Sequence, residues 1–164
     1  MAREIRATIR EFQRADLPAL KALVHKTIAT CYPGHYCAEA VRFFVNYHNE
    51  EAILQDAEEG HTVVLDKASR ILGTGTVVGA EIKRVFVDPM FQKQGFGRRI
   101  VQHLEEAAAL AGAAAVKLDA SLPSKAFYDR LGYVTTEATF LPVENGQRLE
   151  FFKMRKSLQR AQTE

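Results

Sequence analysis

The run Glu81-Ile82-Lys83-Arg84-Val85-Phe86-Val87 passes through a short turn at Asp88-Pro89 into Gln92-Lys93-Gln94-Gly95-Phe96-Gly97, and then into a helical stretch that reaches Leu110. A strand entering a helix through a Gly-x-Gly loop restricts the fold more than any other stretch of this chain. Glycines one residue apart let the backbone curl where a Cβ would clash, and they turn amide N–H groups toward one point. The helix adds its own unpaired N–H groups and the positive end of its dipole. Together these form a cradle for phosphate. The loop is not a Walker sequence, because no Gly-Lys-Ser/Thr follows, and a nucleotide hydrolase is disfavoured on that ground. Nor is it the dinucleotide fingerprint, which needs a third glycine and an acidic residue ending the next strand. Lys93, Arg98 and Arg99 put positive charge where a helix ordinarily prefers acids, which suits a bound anion; a solvated basic edge is the alternative.

A length of 164 residues fits one domain, 1–164, with 156–164 read as a loose C-terminal tail. The net charge of +2 is too small to argue for nucleic acid. No stretch approaches the ~20 apolar residues of a membrane span, and the Met1-Ala2-Arg3-Glu4 start lacks the apolar core of a signal peptide. A cytoplasmic protein with no nucleic-acid or membrane partner is expected. Cys31 and Cys37, with His35 between them and His25 and His48 nearby, lack zinc-site spacing. Free thiols and no metal are expected.

Period and punctuation give the remaining elements. Ile5 to Phe12 alternates as a half-buried strand, and Asp16 is placed to cap a helix carrying Leu17, Leu20, Leu23, Val24 and Ile28 that ends near Thr30. The loop Cys31-Tyr32-Pro33-Gly34-His35-Tyr36 leads to a second helix from Ala38, and Asn49 caps a further turn or two containing Ile53, Leu54 and Ala57 that Glu59-Gly60 closes. Thr62–Leu65, Ile71–Val78 and Glu81–Val87 read as an antiparallel meander, its middle strand weakened by Gly73 and Gly75. Beyond the helix with Ile100, Leu104 and Ala108 come a strand at Ala115–Asp119, a short helix within Ser121–Leu131, and strands at Tyr133–Phe140 and Gln147–Arg155. The order is βααβββαβαββ, an α/β chain of the α+β type: a mixed, mostly antiparallel sheet of about seven strands flanked by helices.

A second signal is Phe127-Tyr128-Asp129-Arg130-Leu131-Gly132-Tyr133. An aromatic pair late in a short helix commonly packs a core. Tyr128 also carries a hydroxyl of ordinary pKa about 10, a competent proton donor at neutral pH and a poor base. Such a group suits a departing thiolate or alkoxide.

Gln92-x-x-Gly95-x-Gly97 behind Val85-x-Val87-x-Pro89, together with Phe127-Tyr128-x-x-x-Gly132 and the element order, resembles the GNAT superfamily of N-acetyltransferases. The resemblance extends from the Ile9-Arg10 strand to Phe152-x-Met154-x-Lys156. It implies a single-domain fold splayed at the cofactor site, with acetyl-CoA as cosubstrate and an amine as acceptor. Backbone groups of Val85, Phe86 and Val87 would pair with the pantetheine arm, and the loop of Gln92, Lys93, Gln94, Gly95, Phe96, Gly97 and Arg98 would hold the pyrophosphate. Tyr128 would protonate the leaving thiolate. Glu81, eleven residues before Gln92, matches the spacing of the catalytic glutamate in the histone-acetyltransferase branch; it would deprotonate the amine, directly or through water, or else be an ordinary outward carboxylate. Many members carry an asparagine where this chain has Ser121; Ser121 or Ser124 would reach the pantetheine instead. Because the first two helices and their connection build the family's acceptor pocket, Tyr32, His35 and Tyr36 are candidate substrate contacts, with local packing as the alternative.

The expected reaction is acetyl transfer to a primary amine of a small molecule by direct attack in a ternary complex, since neither cysteine is placed to carry an acyl group. The alternatives are a protein Lys or N-terminal acetyltransferase, and a non-catalytic CoA-binding regulator of the same fold. A homodimer would be in keeping with the family.

Overall fold

Successive side chains of a strand point to opposite faces, yet in β2 (His61–Lys67) Val63, Val64 and Leu65 are all buried. A strand apolar on both faces must be covered on both. The computed structural model, which describes residues 6–159, shows how. Val63 and Leu65 join one core with Ile100, Leu104 and Ala108, and Val64 joins another with Leu20, Val24, Ile28 and Ile53. Helices α1 (Leu17–Cys31), α2 (Ala38–Tyr47) and α3 (Glu50–Glu59) therefore cover one face of the sheet, while α4 (Phe96–Leu110) and α5 (Lys125–Arg130) cover the other.

The remaining strands are β1 (Thr8–Glu11), β3 (Arg70–Val78), β4 (Glu81–Val87), β5 (Ala115–Ser121), β6 (Val134–Pro142) and β7 (Arg148–Ser157). The seven lie in the order β1-β2-β3-β4-β5-β7-β6. β2, β3 and β4 form the antiparallel meander expected from sequence, and β4 runs parallel to β5 through the α4 crossover. Ile5, expected to open the first strand, and 160–164 of the expected tail lie outside the described residues; 156 and 157 belong to β7.

Two expectations change. The segment after Asn49 is a full helix of ten residues, because the Asn49 side chain accepts the Ala52 N–H at 2.8 Å and satisfies its first turn. Asp16, expected to cap α1, instead accepts the Arg10 guanidinium at 2.8 and 2.9 Å and the Gln13 N–H at 2.8 Å, so it closes the single turn before that helix.

Gly73 and Gly75, which weaken β3 as a strand, turn out to be where α4 docks. A Cβ on Gly75 would lie 2.6 Å from Ile100 Cγ2 and 2.9 Å from Leu104 Cδ1. The helix thus seats closer to the sheet than any side chain permits. Glu105, an acid in the middle of α4, is held from below by the Tyr133 hydroxyl at 3.0 Å and Lys156 Nζ at 3.0 Å.

β4 is the irregular strand. Its pairing with β3 shifts between Thr74↔Phe86 and Thr76↔Lys83, so that Arg84 and Val85 both stand opposite Gly75. Arg84 takes φ +53°, a left-handed conformation that costs a residue with a Cβ about 1–2 kcal/mol. This bulge puts two consecutive side chains, Lys83 and Arg84, on the α2–α3 face, where both reach Asp56. It also bends β4, whose pairing with β5 is limited to Glu81↔Lys117 and the Lys117 N–H to Ala80 O bond at 2.9 Å. Past that point the two strands part.

Candidate active site

The gap between β4 and β5 is a cleft lined by Glu81 to Phe86 from one strand and by Leu118, Asp119 and Ser121 from the other. Ser124 and Tyr128 close one wall, and Tyr32, Phe44, Tyr47 and His48 close the opposite one. Separation from β5 leaves the edge of β4 without a strand partner, which opens its backbone groups to an extended ligand. Beside the opening stands the N-terminus of α4. Gly95 sits at φ +85°, no side chain caps the helix, and the first bond back into the loop is Arg99 N–H to Gly95 O at 3.1 Å. The amides ahead of Arg99 are therefore free to meet an anion.

The two sequence signals meet physically. A Cβ on Gly97 would come within 3.1 Å of the Phe127 ring, so glycine lets the loop lie directly on the helix that carries Tyr128. Tyr128 is buried, with edge-on contacts to Phe127 at 5.0 Å and Tyr133 at 5.4 Å. Burial, and then the neighbouring Tyr32, push its hydroxyl well above the usual tyrosine range, so it remains a donor. Ser121 and Ser124 stand hydroxyl to hydroxyl at 2.7 Å on the same wall. Both serines reach the cleft.

Other candidates are placed differently. Gln92, although exposed, donates to Val87 O at 3.0 Å, bracing the loop against the end of β4. Arg99 donates to Ala7 O at 2.9 Å, which gives one of the two arginines at the helix start a partner within the chain. The Tyr36 hydroxyl donates to Glu150 O at 2.7 Å and accepts the Leu122 N–H at 2.8 Å. It ties the α1–α2 connection to β7, and burial raises its pKa to about 12. His35 and Tyr36 line a separate depression with Cys37, Leu122 and Arg148, whereas Tyr32 lies in the cleft beside Ser121. Cys31 and Cys37 are free thiols, and no group of three or more metal-ligating side chains occurs among the described residues. No helix among them is long and apolar enough to cross a membrane.

Sequence reasoning missed three cleft residues. Asp119 is raised above the ordinary carboxylate range by burial and then by the charge of Glu81, so these two acids share one space across the parting strands. Arg84, its side chain 1% exposed, bonds Asp56 Oδ2 at 3.0 Å and His48 Nδ1 at 3.0 Å. His48 is itself 6% exposed. The alternation of β4 gave no sign of the bulge that brings Arg84 round to this face.

The architecture has close counterparts among solved structures. A GCN5-related N-acetyltransferase from Rhodopseudomonas palustris superposes with a TM-score of 0.85 at 21% identity, covering 96% of this chain and 99% of that one. The PaiA N-acetyltransferase from Thermoplasma acidophilum, solved with coenzyme A, gives 0.72 at 14% identity, covering 94% and 100%. The ribosomal-protein-S18-alanine N-acetyltransferase from Escherichia coli gives 0.65 at 21% identity, covering 95% and 96%. Likeness at these identities establishes the fold. No curated protein sequence matches the chain. The acetyltransferase (GNAT) domain family matches residues 33–158. That span takes in every element from the α1–α2 connection to β7, and the chain therefore belongs to the acetyltransferase (GNAT) family.

Proposed function

We propose that this protein moves an acetyl group from acetyl-CoA to a primary amine of a small molecule, by direct attack of the amine within a ternary complex. The observation that carries this reading is convergence. One cleft, flanked by an uncapped helix N-terminus, collects a buried tyrosine whose pKa is raised, two adjacent serines and two carboxylates. The structural neighbour from Thermoplasma acidophilum, solved with coenzyme A, supports the cofactor.

When bound, acetyl-CoA supplies an acyl group activated as a thioester. The chain does the rest. Amides from Lys93 to Arg98 would hold the pyrophosphate, with exposed Lys93 and Arg98 adding charge. Backbone groups of Val85 and Phe86 would pair with the pantetheine arm along the open edge of β4, and Ser121 or Ser124 would meet it from β5. Backbone N–H groups at the bulge would polarise the acyl carbonyl. Glu81 would take a proton from the incoming ammonium, directly or through water. Asp119 is a second base candidate, because a carboxyl raised toward neutral pH accepts a proton more readily. Tyr128 would donate to the departing sulfur. Its raised pKa favours the protonated form, which suits a donor.

The test has two parts. Acetyl-CoA should raise the melting temperature of the intact protein, and an amine panel should release free CoA. Tyr128→Phe should keep the thermal shift while losing roughly 10²–10⁴ in kcat. If acetyl-CoA produces no shift in the wild-type protein, the cofactor assignment fails. If Tyr128→Phe retains full turnover, the role of the tyrosine fails.

A further inference from the structure

His48 is fastened at every polar atom but one. Its backbone N–H reaches Phe44 O at 3.3 Å, its carbonyl receives His25 Nε2 at 2.8 Å, and its Nδ1 receives Arg84 Nε at 3.0 Å. An arginine keeps its protons, so Nδ1 must present a lone pair. The single ring proton of the neutral imidazole then sits on Nε2. Nε2 has no partner among the described residues, on a side chain that lines the cleft. The ring is clamped edge-on against Tyr47 at 5.1 Å and Phe86 at 5.3 Å, so the direction of that N–H is fixed. Burial, and then the charges of Arg84 and His25, lower its pKa to about 3, which keeps the imidazole neutral and unsuited to general-base work.

We propose that His48 determines acceptor specificity by donating its Nε2–H to an oxygen carried close to the acceptor's amino group, and that Arg84 is the positioning residue that fixes this tautomer. The inference rests on the acetyl-transfer reading of the cleft. It narrows the acceptor to amines bearing a neighbouring carbonyl or carboxylate oxygen, as in a free amino acid or the N-terminus of a short peptide. Charge agrees with the choice. Lys83 and Arg84 both line the cleft and share one carboxylate, Asp56, which leaves one positive charge in excess beside the His48 ring. Glu81 and Asp119 offer negative charge for the ammonium. The body of the acceptor is apolar, because Phe43, Tyr47 and Leu141 line the same cleft while remaining 37%, 50% and 41% exposed. Large apolar side chains left open at a binding cleft mark the surface that a ligand covers.

Two substitutions separate the donor from the scaffold. His48→Asn places an oxygen where Nδ1 was, so Arg84 keeps its acceptor, while its amide N–H groups stop short of the Nε2 position. His48→Gln keeps an N–H near the Nε2 position and gives up the Arg84 contact. Initial rates of CoA release would be compared for phenylalanine, phenylalaninamide and phenethylamine, which share an apolar body and differ in the oxygen. The wild-type protein should favour the oxygen-bearing pair by roughly ten- to a hundredfold in kcat/KM. His48→Asn should erase that preference through KM, lowering the oxygen-bearing pair far more than phenethylamine, and His48→Gln should retain part of it. Preference for phenylalanine over its amide assigns the oxygen to a carboxylate; the reverse assigns it to a peptide carbonyl. The inference is overturned if phenethylamine is the best wild-type substrate, if His48→Asn lowers all three equally, or if none of the three is used while another amine is. A wild-type protein that does not bind acetyl-CoA removes the acetyl-transfer reading, and this inference with it.

Discussion

Asp56→Asn tests the wiring of the cleft wall, because it changes one charge and almost no volume. Asp56 takes Arg84 Nη1 at 3.0 Å and Lys83 Nζ at 3.4 Å, with side-chain exposures of 13%, 1% and 24% for Asp56, Arg84 and Lys83. Lys83 can turn to water, so its loss is small. Arg84 cannot. Stranding a buried charge costs about 3–5 kcal/mol, and the partial exposure of Asp56 argues for the lower end. A loss of about 3 kcal/mol in a chain of this size should lower the melting temperature by roughly 6–12 °C. Urea unfolding with an unchanged m-value would measure it. The companion variant Asp56→Asn/Arg84→Met decides the cause. Methionine removes the stranded charge and fills most of its volume, so the pair should recover at least about half of the loss. If the double variant is no more stable than Asp56→Asn alone, the cost is not a buried charge and the account of the wall is wrong.

Gly75→Ala should destabilise the protein by about 1–3 kcal/mol in the same assay, since the new Cβ meets Ile100 and Leu104 at under 3 Å; a neutral or stabilising result would mean that α4 shifts freely. Asp16 is held below its ordinary range by the Arg10 hydrogen bond, which outweighs burial. The unfolded state then binds more protons in acid, so the stability Asp16 contributes is complete above its ordinary pKa of 3.8 and is lost as pH falls through its folded pKa. The stability gap between wild type and Asp16→Asn, followed by urea unfolding, should be constant near neutrality and narrow below about pH 4. Glu81→Gln and Asp119→Asn separate the two carboxylates: the variant lacking the true base should lose roughly 10²–10⁴ in kcat/KM at neutral pH and the other far less.

How much of this was legible in the sequence depended on whether the signal was local. The Gly-x-Gly loop, the helix that follows it and the Phe127-Tyr128 helix were readable because each is a short-range demand on the backbone or on one face of a helix. The seven strands were readable from alternation and turn residues, Asn145-Gly146 among them, where both residues take positive φ as that turn requires. The ends of α3, at Asn49 and Glu59-Gly60, were readable, but its continuity as ten helical residues was not, because its polar composition gives little helical periodicity and its stability comes from the Asn49 cap and from Ile53 packed beneath the sheet.

The sequence by itself determined the elements, their order and the Gly-x-Gly loop at the start of α4, because hydrogen-bonding geometry and apolar period operate within a dozen residues. Only the tertiary structure decided what stands in the cleft. Glu81 to Val87 reads as a regular strand, yet a residue inserted opposite Gly75 turns Arg84 to the same face as Lys83, parts β4 from β5 and moves Phe86 into the other core. No local rule marks that bulge. It is set by what the far side offers: Asp56 and His48, from helices separated from β4 by two strands of chain, supply the carboxylate and lone pair that compensate a strained arginine. The same fold then brings Asp119 against Glu81 and leaves the Nε2 of His48 as a polar atom of that wall without a partner among the described residues.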